Sequence, residues 1–252
     1  MEDQILDLKK DSAIVIVTHE SFQPIYPLAM AAHFSQELDE LKKKLLAMAG
    51  HAETAVSRAI RAFTDRDDDL ARRIKQDDSI LDAFEKEIDE VAINLLAKAP
   101  LVSELRLITV AMKVSHDLER VGDEATTISR RVLELNQEPP LHTEADLPNM
   151  ATLGLAMLKE SLEAFVNRDT AKARAIIPRD KQIDSLNKQM HRELASYMVE
   201  RPATITRCLN LMTISKSLER IGDHATNIAE EVVYLHEGED IRHDPKIKGG
   251  AK

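Results

Sequence analysis

Apolar positions recur every three or four residues from about Ala32 to His236, the spacing of one face of an α-helix. Leu38, Leu41, Leu45, Met48, Ala52, Val56, Ala59 and Phe63 form one such stripe and predict a helix over residues 35–64. Asp67, Asp68 and Asp69 suit a helix start. Leu70, Ile74, Leu81, Phe84, Ile88, Val91 and Leu95 carry that second helix to about Lys98. Pro100 stops it, and a third helix runs to about Asn136, ahead of Pro139 and Pro140. The order of events then repeats, with helices predicted over 147–167, 169–200 and 202–236. Pro202 stands where Pro100 stands, and Asn167-Arg168-Asp169 echoes Asp65-Arg66-Asp67. Short breaks between long amphipathic helices make antiparallel neighbours. The expected fold is therefore all-α: two tandem pseudo-symmetric three-helix bundles, residues 32–138 and 144–237, joined through the prolines of 138–148. Residues 1–31 read as an appended segment and 238–252 as a flexible tail.

The third helix of each unit carries nearly the same phrase. Met112-Lys113-Val114-Ser115-His116-Asp117-Leu118-Glu119-Arg120-Val121-Gly122-Asp123 returns as Met212-Thr213-Ile214-Ser215-Lys216-Ser217-Leu218-Glu219-Arg220-Ile221-Gly222-Asp223. A charged phrase kept in register twice marks an internal duplication, and it is the unit's most specific part.

The chemistry offered by that phrase is acidic. At about 100° per residue, Val114, Leu118, Val121, Ala125 and Ile128 share one arc, and Glu119 and Asp123 fall roughly 140–180° from its centre. Gly122, between the two regions, lets a helix or ligand come close. The second helix adds Asp78 and Asp82, with Glu85 and Asp89 further along the same face. In the second unit those places hold Asp180, Asp184, Asn187 and His191, beside Glu219 and Asp223. Like charges four apart destabilise a helix by a few tenths of a kcal/mol, roughly, for each pair. A hard cation with oxygen ligands is the simplest compensation. His191 and His224 would add nitrogen to the second site and favour iron or zinc. The plain alternative is a solvated acidic face. On the same reading His116 is a solvated helix residue, Cys208 a small buried hydrophobe, and Arg120 and Arg220 pair with helix-surface acids or a partner.

Composition narrows the function. With 43% apolar residues, 3% aromatics and seven Gly, the chain suits helices and not a sheet. The formal charge of −10 argues against a nucleic-acid surface. No stretch approaches the roughly 20 apolar residues of a membrane span, and no signal-peptide pattern opens the chain. A single cysteine suits a reducing cytoplasm. A ferritin-like di-iron enzyme would use Glu-x-x-His motifs, and no Glu here has His three residues later. The residues by themselves offer such an enzyme or a plain helical scaffold as readings. Ala13-Ile14-Val15-Ile16-Val17-Thr18-His19-Glu20 is a β-type run similar to the switch-histidine segment of ABC-transporter ATPases, without their Walker motifs.

Leu118-Glu119-Arg120-Val121-Gly122-Asp123 and Leu218-Glu219-Arg220-Ile221-Gly222-Asp223, with Asp78-xxx-Asp82 and Asp180-xxx-Asp184, resemble the PhoU family over about residues 34–236. The resemblance implies a non-enzymatic, cytoplasmic regulator of phosphate uptake built from two three-helix bundles. It implies contact with the phosphate ABC transporter ATPase and its sensor histidine kinase, repression of the phosphate-starvation response, and association with the membrane only through those partners. The family's acidic motifs can hold iron or zinc clusters. The candidate metal ligands are Asp78, Asp82, Glu85, Glu119, Asp123, Asp180, Asp184, Glu219 and Asp223, and a homodimer is expected. Asn187 and His191 depart from the first unit's Glu85 and Asp89, so the two sites need not match.

Overall fold

The computed structural model describes residues 28–99, 101–141 and 146–242. The β-type run at 13–20 lies outside the described residues. Seven α-helices follow in order: α1 (Leu28–Asp65), α2 (Asp68–Leu96), α3 (Val102–Leu135), α4 (Leu147–Asn167), α5 (Thr170–Ile176), α6 (Asp180–Glu200) and α7 (Ile205–Glu237). The first three pack on one another, and α7 packs against α4, α5 and α6. These are the tandem three-helix bundles, with the middle helix of the second unit in two pieces. That helix was expected to be continuous over 169–200. Pro178 lacks the N–H a helix needs, and a 3-10 turn at Ile177–Arg179 takes its place between α5 and α6.

The duplication is visible in the connections. Arg66 and Arg168 hold the left-handed conformation, at φ 54° and 57°. Each precedes a capping aspartate: Asp67 accepts from the Leu70 N–H at 2.9 Å, and Asp169 accepts from the Lys172 N–H at 2.9 Å. A reversal this tight folds each first helix back onto the second.

The two units share one apolar core, in which Leu41, Leu45, Met48, Ile88, Leu118, Met150, Met157, Leu158 and Ile228 are sealed from solvent. Their seam is the α3–α7 pair. Lys113 meets Glu231 at 2.9 Å and Arg220 meets Glu124 at 3.0 Å, so partner numbers fall on one helix as they rise on the other. The two helices are therefore antiparallel, which sets the acidic phrases side by side at mid-seam. Of the expected flexible tail, residues 238–242 pack down. Gly238 takes φ 75° against Arg106, and Ile241 is buried. Among the described residues no helix is long and apolar enough to cross a membrane.

Candidate functional site

In the first unit, α2 supplies Asp78, Asp82 and Glu85 while α3 supplies Glu119 and Asp123. Gly122 makes their approach possible, because a Cβ there would run into the buried Leu81 side chain. Gly222 does the same in the second unit, where an added Cβ would stand 3.0 Å from Ile183 Cγ2. Thr126 Oγ1 donates to Asp78 Oδ1 at 2.8 Å and fixes the α2 acid against α3.

The tightest grouping includes a residue that the sequence reading left to solvent. His116 Nδ1 lies 3.0 Å from Glu85 Oε1. Glu85, His116 and Glu119 each bring one ligand atom within 4.8 Å of the others. Burial raises the pKa of Glu119, and the charge of Asp123 adds to that, while Arg120 opposes it. Burial likewise raises Asp123, with Asp78 the next cause. Arg120 approaches both acids, Asp123 at 3.3 Å and Glu119 at 3.4 Å. The Arg120–Glu119 contact lacks hydrogen-bond geometry, so Glu119 Oε2 is buried without a hydrogen-bond donor. Asp82 stands exposed at the edge and still bears on Glu119 and Asp123 electrostatically.

The second unit gathers fewer ligands more deeply. Asp223 is pushed up to about 7 by burial first, then by the charges of Glu219 and Asp180. Glu219 is buried and pairs with Lys216. Asp184, expected beside them, turns to Lys188 at 3.3 Å. Asn187, in the place of Glu85, accepts from Ser215 Oγ at 2.7 Å and serves packing.

Two expectations need correcting. The acids do not all lie on a solvated face: the Glu219 and Glu119 side chains are 9% and 15% exposed. The reason is tertiary: α3 is covered by α1, α2 and α7 together, and α7 by α3, α4, α5 and α6. His224, offered above as a nitrogen ligand for the second site, reaches across the seam to Asp117 at 2.8 Å, where Asn227 joins it at 3.1 Å. A carboxylate only accepts, so the ring donates from Nδ1. His191 is half-buried, and among the described residues its Nε2 has no hydrogen-bond partner.

The residues suit a metal in the first unit. Two carboxylates and an imidazole within mutual reach, with burial disfavouring the bare Glu119 anion, are a donor set for a borderline divalent or ferric ion. Hard oxygens dominate the second unit.

Such features define a class: a tandem helical repeat with an acidic cluster on each unit and a polar seam between them. The PhoU domain model matches the chain twice, over residues 45–132 and 147–232. The chain belongs to the PhoU family. A phosphate-specific transport system accessory protein PhoU homolog of Pseudomonas aeruginosa is 39% identical over 218 residues, 85% of this chain and 89% of that one. The homolog of Rhizobium meliloti is 40% identical over 207 residues, 81% of this chain and 87% of its own. Among solved structures, PhoU from Pseudomonas aeruginosa superposes with a TM-score of 0.79 at 39% identity, covering 82% of this chain and all (100%) of that one. The phosphate transport system regulatory protein PhoU from Streptococcus pneumoniae follows at 0.76 and 32%, covering 82% and 98%. These relatives are named as accessory and regulatory proteins, not as enzymes.

Proposed function

We propose that this chain is a cytoplasmic regulator of phosphate uptake that represses the phosphate-starvation response by contact with the phosphate ABC transporter ATPase and a sensor histidine kinase. The observation that carries the reading is the pair of Leu-Glu-Arg-x-Gly-Asp motifs, each with its glycine packed against Leu81 of α2 or Ile183 of α6, in a chain whose relatives are named as accessory proteins of phosphate-specific transport. No nucleophile–base pair is needed for such a role. Binding surfaces and a responsive site are.

The acidic clusters supply that site. Glu85, His116 and Glu119 would hold a metal ion in the first unit, with Asp78, Asp82 and Asp123 beside it. Asp180, Glu219 and Asp223 would do so in the second. A bound iron or zinc ion would supply positive charge that offsets the crowded carboxylates of α2 and α3 and of α6 and α7. The chain's part is to preset the donors, with Glu119 the most deeply set of the first trio.

The test is capture of the transporter ATPase by the immobilised full chain, with metal content measured before and after chelation. ATPase retained, and iron, zinc or manganese bound without loss of helicity on chelation, support the reading. A chain that retains no ATPase under phosphate-replete conditions contradicts the partner assignment. One that takes up no metal contradicts the site.

A further inference from the structure

A polar cavity of about 730 Å³ opens on the seam, where the two acidic clusters meet. Asp123 reaches it from the first unit and Asp180 and Asp223 from the second, so both clusters face one space. Arg120, Arg130 and Arg220 line the same space, with Thr127 and Asn227 adding neutral polar groups. Arg130 is the one whose charge is least used: among the described residues its only hydrogen bond is to Thr127 Oγ1, at 3.2 Å. Arg220 gives one bond to Glu124, at 3.0 Å. A guanidinium has five donors, so each arginine keeps most of its capacity.

Two buried groups in the lining lack partners. Thr226 is 5% exposed, yet its Oγ1 has no hydrogen-bond partner, whereas its counterpart Thr126 donates to Asp78. Glu124, 9% exposed, has Oε2 unpartnered while Oε1 takes Arg220. Buried polar atoms in native proteins are almost always satisfied. The orphan Thr226 hydroxyl can donate to an oxygen of an occupant, and the orphan Glu124 oxygen, which only accepts, calls for a cation or donor beside it.

Charge decides which occupant. With Asp223 ionised, Asp123, Glu124, Asp180 and Asp223 outnumber the three guanidiniums, and the cavity alone then repels an anion. A divalent cation on Asp180 and Asp223 reverses the sign and leaves the arginines facing it across the space. We propose that the seam cavity binds a small tetrahedral oxyanion of the phosphate type, held between a divalent cation on Asp180 and Asp223 and the guanidinium groups of Arg120, Arg130 and Arg220. The oxyanion would be free phosphate or the terminal group of a phosphate ester. Planar guanidinium forks match its geometry, and the cation would supply the remaining positive charge. The inference rests on the metal reading above and deepens it: the cation makes the phosphate site, so the two bind with positive linkage.

The test is calorimetry on the full chain with Mn²⁺ alone, inorganic phosphate alone, and phosphate after Mn²⁺ saturation. Glycerol phosphate and sulfate serve as further arms. Phosphate should bind only the Mn²⁺-loaded chain. Arg130→Gln should weaken it about tenfold or more, the loss of one charge-assisted contact, with Mn²⁺ affinity within about twofold of the parent. Glycerol phosphate binding as tightly as phosphate would assign the cavity to esters, and its failure to bind would assign it to the free ion. Mn²⁺ uptake without any phosphate binding overturns this inference and leaves the metal reading standing. Phosphate binding unchanged in Arg130→Gln, or matched by sulfate without Mn²⁺, overturns the site. No Mn²⁺ uptake overturns both.

Discussion

The imidazole of His224, in the second unit, lies 2.8 Å from the carboxylate of Asp117 in the first. Its pseudo-equivalent on the other side of the seam is Glu124, which takes Arg220 instead. Position 124/224 is thus an acid in one unit and a base in the other, and the seam is asymmetric for that reason. Asp117 and Glu124 are almost buried, with side chains 12% and 11% exposed. Removing a partner leaves a desolvated charge uncompensated. His224→Ala and Arg220→Ala should each lower unfolding free energy by about 1–3 kcal/mol in urea denaturation. An exposed-face substitution would cost within about 0.5 kcal/mol, which is the outcome expected of Arg220 from sequence alone. Losses that small would show that the seam pairs carry no stability.

Arg120 is the cleaner probe of signalling. It is half exposed and its ion pairs, Glu119 and Asp123, lie on its own helix. Arg120→Ala is expected to derepress phosphate-starvation genes partially while moving unfolding by less than about 1 kcal/mol. Full repression in that variant would move the partner surface elsewhere.

Gly122 and Gly50 make a matched pair. Alanine gains about 1 kcal/mol over glycine in a helix interior. At Gly50 an added Cβ meets nothing within 4 Å, so Gly50→Ala should stabilise by about 0.5–1 kcal/mol. At Gly122 the Cβ meets buried Leu81, and overpacking of about 1–3 kcal/mol outweighs the propensity gain. Gly122→Ala should be net destabilising and should loosen α2 from α3. Thermal melts of both variants decide it, and equal shifts in the same direction would contradict the packing account.

The left-handed arginines offer another comparison. Arg168→Gly removes the Cβ penalty at φ 57° and should raise stability by about 0.5–1 kcal/mol. Arg66→Gly relieves the same strain but gives up bonds to the carbonyls of Leu135 and Glu138, at 3.2 and 2.7 Å. It should gain less or lose. Urea midpoints ordering the two variants the other way would remove those carbonyl contacts from the account.

The raised pKa of Asp223 sets a pH dependence. Its folded state binds the proton more tightly than the unfolded chain, so its contribution falls as pH climbs from the ordinary carboxylate range through about 7. Below that range both states are protonated and the effect vanishes. Asp223→Asn should therefore be more stable than the parent at pH 8 and lose most of that advantage by pH 4. Saturating Mn²⁺ should stabilise the parent at pH 8. A parent-minus-variant difference that does not change with pH would mean that Asp223 titrates normally.

Helix existence and order were legible because 3.6-residue periodicity is a local property, and the helix starts at Asp67 and Asp169 because each caps within its own turn. Gly122's close approach was legible too, from its place between the apolar arc and the acids. What α7 faces was not. The burial of Glu219 and the Asp117–His224 bond depend on which helix covers which, and periodicity on one helix does not encode that. His116 was assigned to solvent and is exposed, but the Glu85 that meets it there comes from the neighbouring helix, which its own periodicity does not encode. The break at Pro178 had a local signal in the proline itself, which the helix expected over 169–200 passed over.

The most direct measurement of the central claim is the activity of a phosphate-starvation promoter in cells that lack this protein, grown in excess phosphate. The account predicts high activity without the chain and repression when the intact chain is restored. A Glu119→Ala, Asp123→Ala, Glu219→Ala, Asp223→Ala variant should repress incompletely. A promoter that stays silent in cells lacking the protein would contradict the regulatory role outright.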